Sequence, residues 1–474
     1  MKVQGSAEGS FLKDYDLAII GNGAAAFSAA IRASEITSHQ AKIAMIGYGP
    51  LGGTCVNVGC VPSKYLIKAA SAFRNARDPL FPGISSMGTL NFKLLVDSLR
   101  DLVNGERKVK YEDVLSKYEN VEYYSGYASF INDKTVAVTN GDNEKEISAY
   151  NFLIATGSRP SVPRIKGIEN SGFLTSNDIW SLEDLPSKIT VLGAGAVGLE
   201  LGQAFLRLGS EVTVVEALPH ILYGSEPEVS ETMLDTLKAE GIKFYTGASV
   251  ERVEKAALYI KSEGQVKKVD HDTLLVATGR TPNLEKLALE NAGVEYSAKG
   301  IKVNEKLVTS NPRIYAAGDV VDQRLKLETV AAKEGAIAAE NMYEHAEKSI
   351  DLKAVPFVVF TDPQVASVGL KESECQGCTS KILPVSSVAK ARIIRKESGI
   401  VKMVVDKGES IRGVHVVSPY ASEIIIEGVY AIKLGLTVED IIETAHVFPT
   451  ISESIKLAAQ SFRRDISMMS CCVE

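Results

Sequence analysis

Residues 17–26 read Leu17-Ala18-Ile19-Ile20-Gly21-Asn22-Gly23-Ala24-Ala25-Ala26, and an Ala-rich run continues to about Ser34. Four apolar residues of strand character meet a tight turn of small residues, and the turn opens a helix. That order lets the backbone approach a pyrophosphate, which sits on the N–H groups of the helix's first turn. Ala26 takes the third place of the G-x-G-x-x-[GA] pattern. Alone, the pattern is a weak signal that an ordinary turn can satisfy. It recurs, however, at Ile189-Thr190-Val191-Leu192 followed by Gly193-Ala194-Gly195-Ala196-Val197-Gly198. The next strand, Glu211 to Val215, ends on Glu216, about 20 residues past the glycines, where a carboxylate accepts from both ribose hydroxyls of NAD and repels a 2′-phosphate. Two such turns in 474 residues predict an α/β chain with two Rossmann-like dinucleotide-binding domains.

Between the two turns lies Leu51 to Lys64, L-G-G-T-C-V-N-V-G-C-V-P-S-K, with Cys55 and Cys60 behind a glycine turn. The spacing could serve half a zinc site, but no second Cys or His pair stands near it at zinc-ligand spacing. The remaining cysteines also come in pairs, Cys375 with Cys378 and Cys471 with Cys472. Six cysteines in a chain this size are too few for a disulfide framework, and in a reducing compartment they read as chemistry rather than staples. Cys375 and Cys378 lie in a polar loop, where they could grip a soft metal or be two incidental surface thiols. For the terminal pair, neighbouring Cα atoms are about 3.8 Å apart, short of the roughly 4.4 Å a bridge needs. Two adjacent thiols suit a soft metal ion better.

Composition narrows the class. With 45% hydrophobic and 23% charged residues the chain is globular and too long for one core, so roughly three domains are expected. A net charge of −7 argues against a nucleic-acid-binding surface as its main business. No apolar run reaches bilayer length, and Met1 to Ser10 lack the apolar core of a signal peptide, so a cytoplasmic protein with no membrane partner is expected.

The motif set resembles the flavin-dependent pyridine nucleotide-disulfide oxidoreductases over nearly the whole chain from about residue 14. The resemblance implies a redox-active Cys55–Cys60 pair and FAD on the first turn (Gly21, Gly23, Ala26). Gly49, Thr54, Lys64, Ala128 and Gly157 would stand near the flavin, and the strand before Asp319 would deliver that residue to the ribityl chain. Gly193, Gly195, Gly198, Glu216 and Gly279 would hold the nicotinamide cofactor, NADH in preference to NADPH, and Glu200 would pair with Lys64. The implied domains are 11–165 with 280–350 for FAD, 166–279 for NAD(P), and an α+β dimerisation domain at 351–474. Such domains form homodimers in which each subunit completes the other's site. In one departure, the family's ribose-binding acid after the second strand is replaced by Gly47.

A second departure bears on the substrate. Disulfide reductases of this family place a histidine directly before Pro-Thr, paired with a glutamate four residues after the proline, to shuttle protons between dithiol and disulfide. Here the run is His446-Val447-Phe448-Pro449-Thr450-Ile451-Ser452-Glu453. A phenyl ring moves no proton, and His446 stands three positions from the proline, as a structural side chain would. The terminal Cys471-Cys472, after Lys456 to Phe462, resembles the mercuric reductase branch of the family. That resemblance implies reduction of Hg(II), arriving as a thiol complex, by Cys55, Cys60, Lys64 and Glu200. Cys471 and Cys472 of the partner subunit would deliver the metal, making all four cysteines its ligands. The branch's optional N-terminal metal-binding domain is expected to be absent. The alternatives are a dihydrolipoamide dehydrogenase-like disulfide reductase and a metal-binding module without turnover.

Overall fold

The computed structural model describes residues 13–323 and 325–469. Two compact units emerge, one from residues up to 57 with 102–159 and 280–350, the other from 58–101, 160–279 and 351 onward. Residues 58–101, expected from the sequence in the first nucleotide-binding domain, pack with the second unit. Their helix Cys60–Arg77 lies against helix Ala196–Leu208, where Arg207 donates to Ser71 Oγ at 2.9 Å.

The first unit is built on a parallel sheet with strands Val121–Ser125, Ile43–Gly47, Tyr15–Ile20 and Asn143–Ile154 side by side, and Ile314–Ala316 beyond. Ile43–Gly47 is buried at every position, as a strand covered on both faces must be. Helix Ala24–Ile36 packs on helix Glu328–Tyr343, and the contact needs Gly335, where a Cβ would lie 2.1 Å from Ala25 O. The first half of Asn143–Ile154 runs antiparallel to Thr135–Asn140, which pairs with Tyr127–Asn132. Helical periodicity with many charges along 65–125 predicts solvated helix faces. Helices Cys60–Arg77 and Phe92–Arg107 are there, but Val121–Ser125 is an edge strand, its β-branched and aromatic residues winning locally.

In the second unit the parallel order is Lys243–Tyr245, Glu211–Val215, Lys188–Leu192, Thr273–Val276, Leu174–Thr175. An antiparallel sheet of Phe357–Val359, Gln364–Gly369, Ile411–Ser418, Ile400–Val405 and Thr379–Pro384 follows, with helices Ala421–Leu434 and Glu453–Gln460 packed on it. This is the α/β and α+β architecture that the sequence predicts.

One buried acid gives the first unit a pH dependence. Glu334 is fully buried in helix Glu328–Tyr343. One of its oxygens accepts from Gly318 N at 2.7 Å and Gln323 Nε2 at 3.3 Å, while the other has no partner among the described residues. Burial pushes its pKa up from 4.5 to about 7. The native state therefore keeps a proton that the unfolded chain releases, so the stability this group contributes is present below about 4.5 and lost as pH rises through about 7. Glu334→Gln keeps an acceptor for both donors and removes the titration. Urea midpoints should then fall less between pH 5 and pH 8 in the variant than in the parent protein.

Candidate redox-active site

Both glycine turns are shaped for phosphate. Gly23 (φ −100°, ψ −165°) and Gly195 (φ −81°, ψ −174°) are extended N-caps of Ala24–Ile36 and Ala196–Leu208, and neither helix has a side-chain cap or an acid in its first turn. Their leading N–H groups are thus left for an anionic ligand. Gly21 (φ +141°) and Gly193 (φ +107°) admit no side chain, because a Cβ would lie 2.1 Å from Ala155 O and 2.5 Å from Ala277 O. Gly198 is equally constrained by Gly193 O, 2.1 Å from its would-be Cβ, while Ala26 is fully buried. Gly157 and Gly279 offer their carbonyls to Asn283 N and Ser161 N, at 3.0 and 2.9 Å.

The carboxylates are oriented with equal care. Glu216 is half-buried, and its two oxygens accept from Ala194 N at 2.7 Å and Leu218 N at 2.8 Å. Each oxygen keeps lone-pair capacity for a ribose hydroxyl. Asp319 Oδ2 accepts from Ser158 Oγ at 2.5 Å and lies 3.6 Å from Arg280 Nε, which donates to Ser158 Oγ at 2.7 Å. Sequence reasoning missed Ser158 and Arg280, although each directly follows an A-T-G turn.

The cysteine segment is tied to the first turn. Gly53 (φ +64°) opens helix Gly53–Asn57, and a Cβ on it would lie 2.8 Å from Gly23 Cα. Asn57 Nδ2 donates to Leu51 O at 2.9 Å and Gly53 O at 2.8 Å, and Arg107 donates to Asn57 Oδ1 at 3.0 Å. Cys55 is half-buried, its Sγ within 4.8 Å of a Glu328 carboxylate oxygen, and Thr54 is exposed with its Oγ1 3.4 Å from Arg280. Burial raises the pKa of Glu328, a residue that nothing in the local sequence links to the thiol. Gly49 (φ +79°) contributes backbone only, its carbonyl 3.3 Å from Asn22 Nδ2, and the Ala128 side chain lies in the core.

The boundary between the units falls after Asn57, so Cys60 begins in the second unit as the first residue of Cys60–Arg77. It is exposed, behind Gly59 and with no acid in the first turn, a setting that favours a thiolate. One turn on, Lys64 Nζ donates to Glu200 Oε2 at 2.8 Å and lies 4.5 Å from the Phe360 ring centroid. The other oxygen of the buried Glu200 accepts from Phe360 N at 2.8 Å. The sulfurs of Cys375 and Cys378 lie within bonding distance of each other across a tight loop. Cys471 and Cys472 lie outside the described residues.

Around the replaced base, Phe448 is 49% exposed, and Glu453 Oε2 is buried with no hydrogen-bond partner among the described residues. Burial raises the pKa of Glu453. His446 is engaged elsewhere, Nδ1 lying 3.0 Å from Thr444 O and Nε2 3.0 Å from Glu427 Oε2.

Residues 15–335 match the family described as pyridine nucleotide-disulphide oxidoreductase, and residues 355–459 match its dimerisation domain. The chain belongs to the pyridine nucleotide-disulphide oxidoreductases. It is 41% identical over 470 residues to a mercuric reductase of Staphylococcus aureus, covering 97% of this chain and 84% of the relative. Against a mercuric reductase of Streptomyces lividans it is 38% identical over 473 residues, covering 97% and 98%. Among solved structures it is similar to the Cu(II) complex of the HOCl-induced flavoprotein disulfide reductase RclA from Escherichia coli, with 26% identity, a TM-score of 0.85 and coverage of 96% and 100%. Membership of this oxidoreductase family implies FAD and NAD(P)H, and the uncapped helix starts and bonded carboxylates fit both. Among the described residues no helix is long and apolar enough to cross a membrane.

The His446–Glu427 contact carries its own pH signature. The carboxylate beside it raises the histidine's pKa above 6.5, so its stabilisation is full below that value and fades as pH rises through the folded-state pKa. His446→Gln should cost more stability at pH 5.5 than at pH 8.5, read from denaturant midpoints.

Proposed function

We propose that this chain is a mercuric reductase, an FAD-dependent homodimer that reduces thiol-bound Hg(II) to Hg(0) with electrons from NAD(P)H. The observation that carries the reading is a thiol site without a proton shuttle. Glu453 keeps the family's acid with one buried oxygen unpartnered among the described residues, Phe448 fills the base's place, and His446 is bonded to Glu427 and Thr444. Identities of 35–42% to mercuric reductases over nearly the whole chain support it. The domain assignment we propose is 11–165 with 280–350 for FAD, 166–279 for NAD(P) and 351–474 for dimerisation, in a cytoplasmic enzyme.

FAD, when bound, supplies the two-electron chemistry that links the pyridine nucleotide to the cysteine pair. The residues divide the remaining work. Helix Cys60–Arg77 stabilises a Cys60 thiolate at its N-terminus, and Glu200 holds Lys64 one turn behind it. Cys55 is the exchanging thiol, on the short helix that Asn57 pins to the glycine turn. Cys471 and Cys472 of the partner subunit bring the metal, and each transfer swaps one mercury–thiolate bond for another. Soft thiolates suit this ion, and ligand exchange needs no base.

With Hg(II) and excess thiol, the purified protein should oxidise NADH and release volatile mercury, while lipoamide and glutathione disulfide turn over far more slowly. Brisk lipoamide reduction without mercury-dependent activity would overturn the proposal. Glu216 should make NADH the better donor by kcat/KM, and Glu216→Gln should narrow that ratio, because it removes the charge facing a 2′-phosphate. A parent enzyme preferring NADPH tenfold would contradict this role.

A further inference from the structure

The acid usual at the end of the second strand is Gly47 here, and the room for it is taken. A Cβ at Gly47 would lie 2.6 Å from Asn22 Cβ and 2.8 Å from Asn22 Cγ. Asn22 is the middle residue of the first glycine turn, and its Nδ2 reaches the carbonyls of Tyr48, Gly49 and Pro50 at 3.5, 3.3 and 3.3 Å. The turn after the strand is thus folded around the asparagine. Tyr123 OH and Gly126 N both donate to Gly47 O, at 3.0 and 2.9 Å, which fixes the strand end from the other side.

Directly beyond stand two exposed tyrosines. Tyr48 is 62% and Tyr127 43% exposed, their ring centroids 4.2 Å apart and their planes 21° from parallel. Lys286 Nζ lies 4.3 Å from the Tyr127 centroid. Single exposed aromatics are ordinary. A stacked pair with a cation on one ring, at the end of the strand that flanks a nucleotide turn, is a face for a planar base.

We propose that the open face of Tyr48, backed by Tyr127, holds the adenine of FAD, and that Asn22, by occupying the space beside Gly47, makes ring stacking rather than a ribose-binding carboxylate the means of holding the adenosine end. This rests on the reading that the first turn binds FAD. Stacking acts on the base, whereas a carboxylate acts on ribose hydroxyls. The adenosine end would then be recognised through its π-face, with no carboxylate at position 47 beside it.

The test is FAD titration of the apoprotein, followed by flavin fluorescence, with far-UV circular dichroism as the folding control. Tyr48→Ala should raise the FAD Kd about tenfold, within the range for losing one base–aromatic contact, and Tyr127→Ala should act in the same direction. Tyr48→Phe keeps the ring and should retain parental affinity, which loss of the turn's structure would not explain. Gly47→Glu alone should not tighten FAD binding. Combined with Asn22→Gly, which clears the space, it should bind FAD more tightly than Gly47→Glu alone. Failure of the parent apoprotein to bind FAD would defeat the cofactor reading itself. Parental binding with both alanine variants within twofold of it would defeat only the adenine proposal, and tightening by Gly47→Glu alone would show that Asn22 does not exclude the acid.

Discussion

Two glycine backbones in contact, Gly23 and Gly53, set the frame of the first unit's chemistry. A Cβ on Gly53 would lie 2.8 Å from Gly23 Cα, and Gly52 N donates to Asn22 O at 2.8 Å. The turn that presents N–H groups to a phosphate is therefore the surface on which the Cys55 helix rests. Gly53 also sits at φ +64°, so a side chain there would meet backbone strain and steric overlap together. Placing the thiol and placing the phosphate are one structural problem, solved by leaving out the side chain at Gly53.

The carboxylates show how environment assigns work to one functional group. Glu200 and Glu216 each have both oxygens bonded, to Lys64 and Phe360 N in one case and to two backbone N–H groups in the other. Each is held in place from both oxygens. Glu334 and Glu453 are the opposite case, each with one buried oxygen unpartnered among the described residues and a pKa raised by burial. Desolvation penalises the charged form unless donors offset it.

Much of this was legible before any coordinates. Strand, glycine turn and helix are local features, so both nucleotide turns and Glu216 could be read from residues close together in the chain. Pairings made across the chain could not. Lys64 and Glu200 are 136 residues apart and were linked only through a family resemblance. Glu328 beside Cys55 and Arg280 beside Asp319 had no local signal of contact, since tertiary packing alone creates it. The stacking of Tyr48 on Tyr127 depends on how separate segments pack and likewise has no local signal. The helical reading of 65–125 failed at Val121–Ser125, where an open sheet edge outweighed the surrounding pattern. At Cys375 and Cys378 spacing left the chemistry open, and the loop brings the two sulfurs together.

Proton balance connects the altered base to the choice of substrate. Reducing an organic disulfide adds two electrons and two protons, one for each departing sulfur, and a base near neutrality speeds that exchange. Reducing Hg(II) to Hg(0) adds two electrons and leaves no proton on the metal. Where Phe448 stands no proton can be handed on, and His446 has both ring nitrogens engaged, by Glu427 and Thr444. Glu453 keeps one buried oxygen without a partner among the described residues. A site with these features keeps its electron-transfer thiols but loses its means of protonating a sulfur leaving group, which favours a soft metal ion as the acceptor over a carbon-bound disulfide.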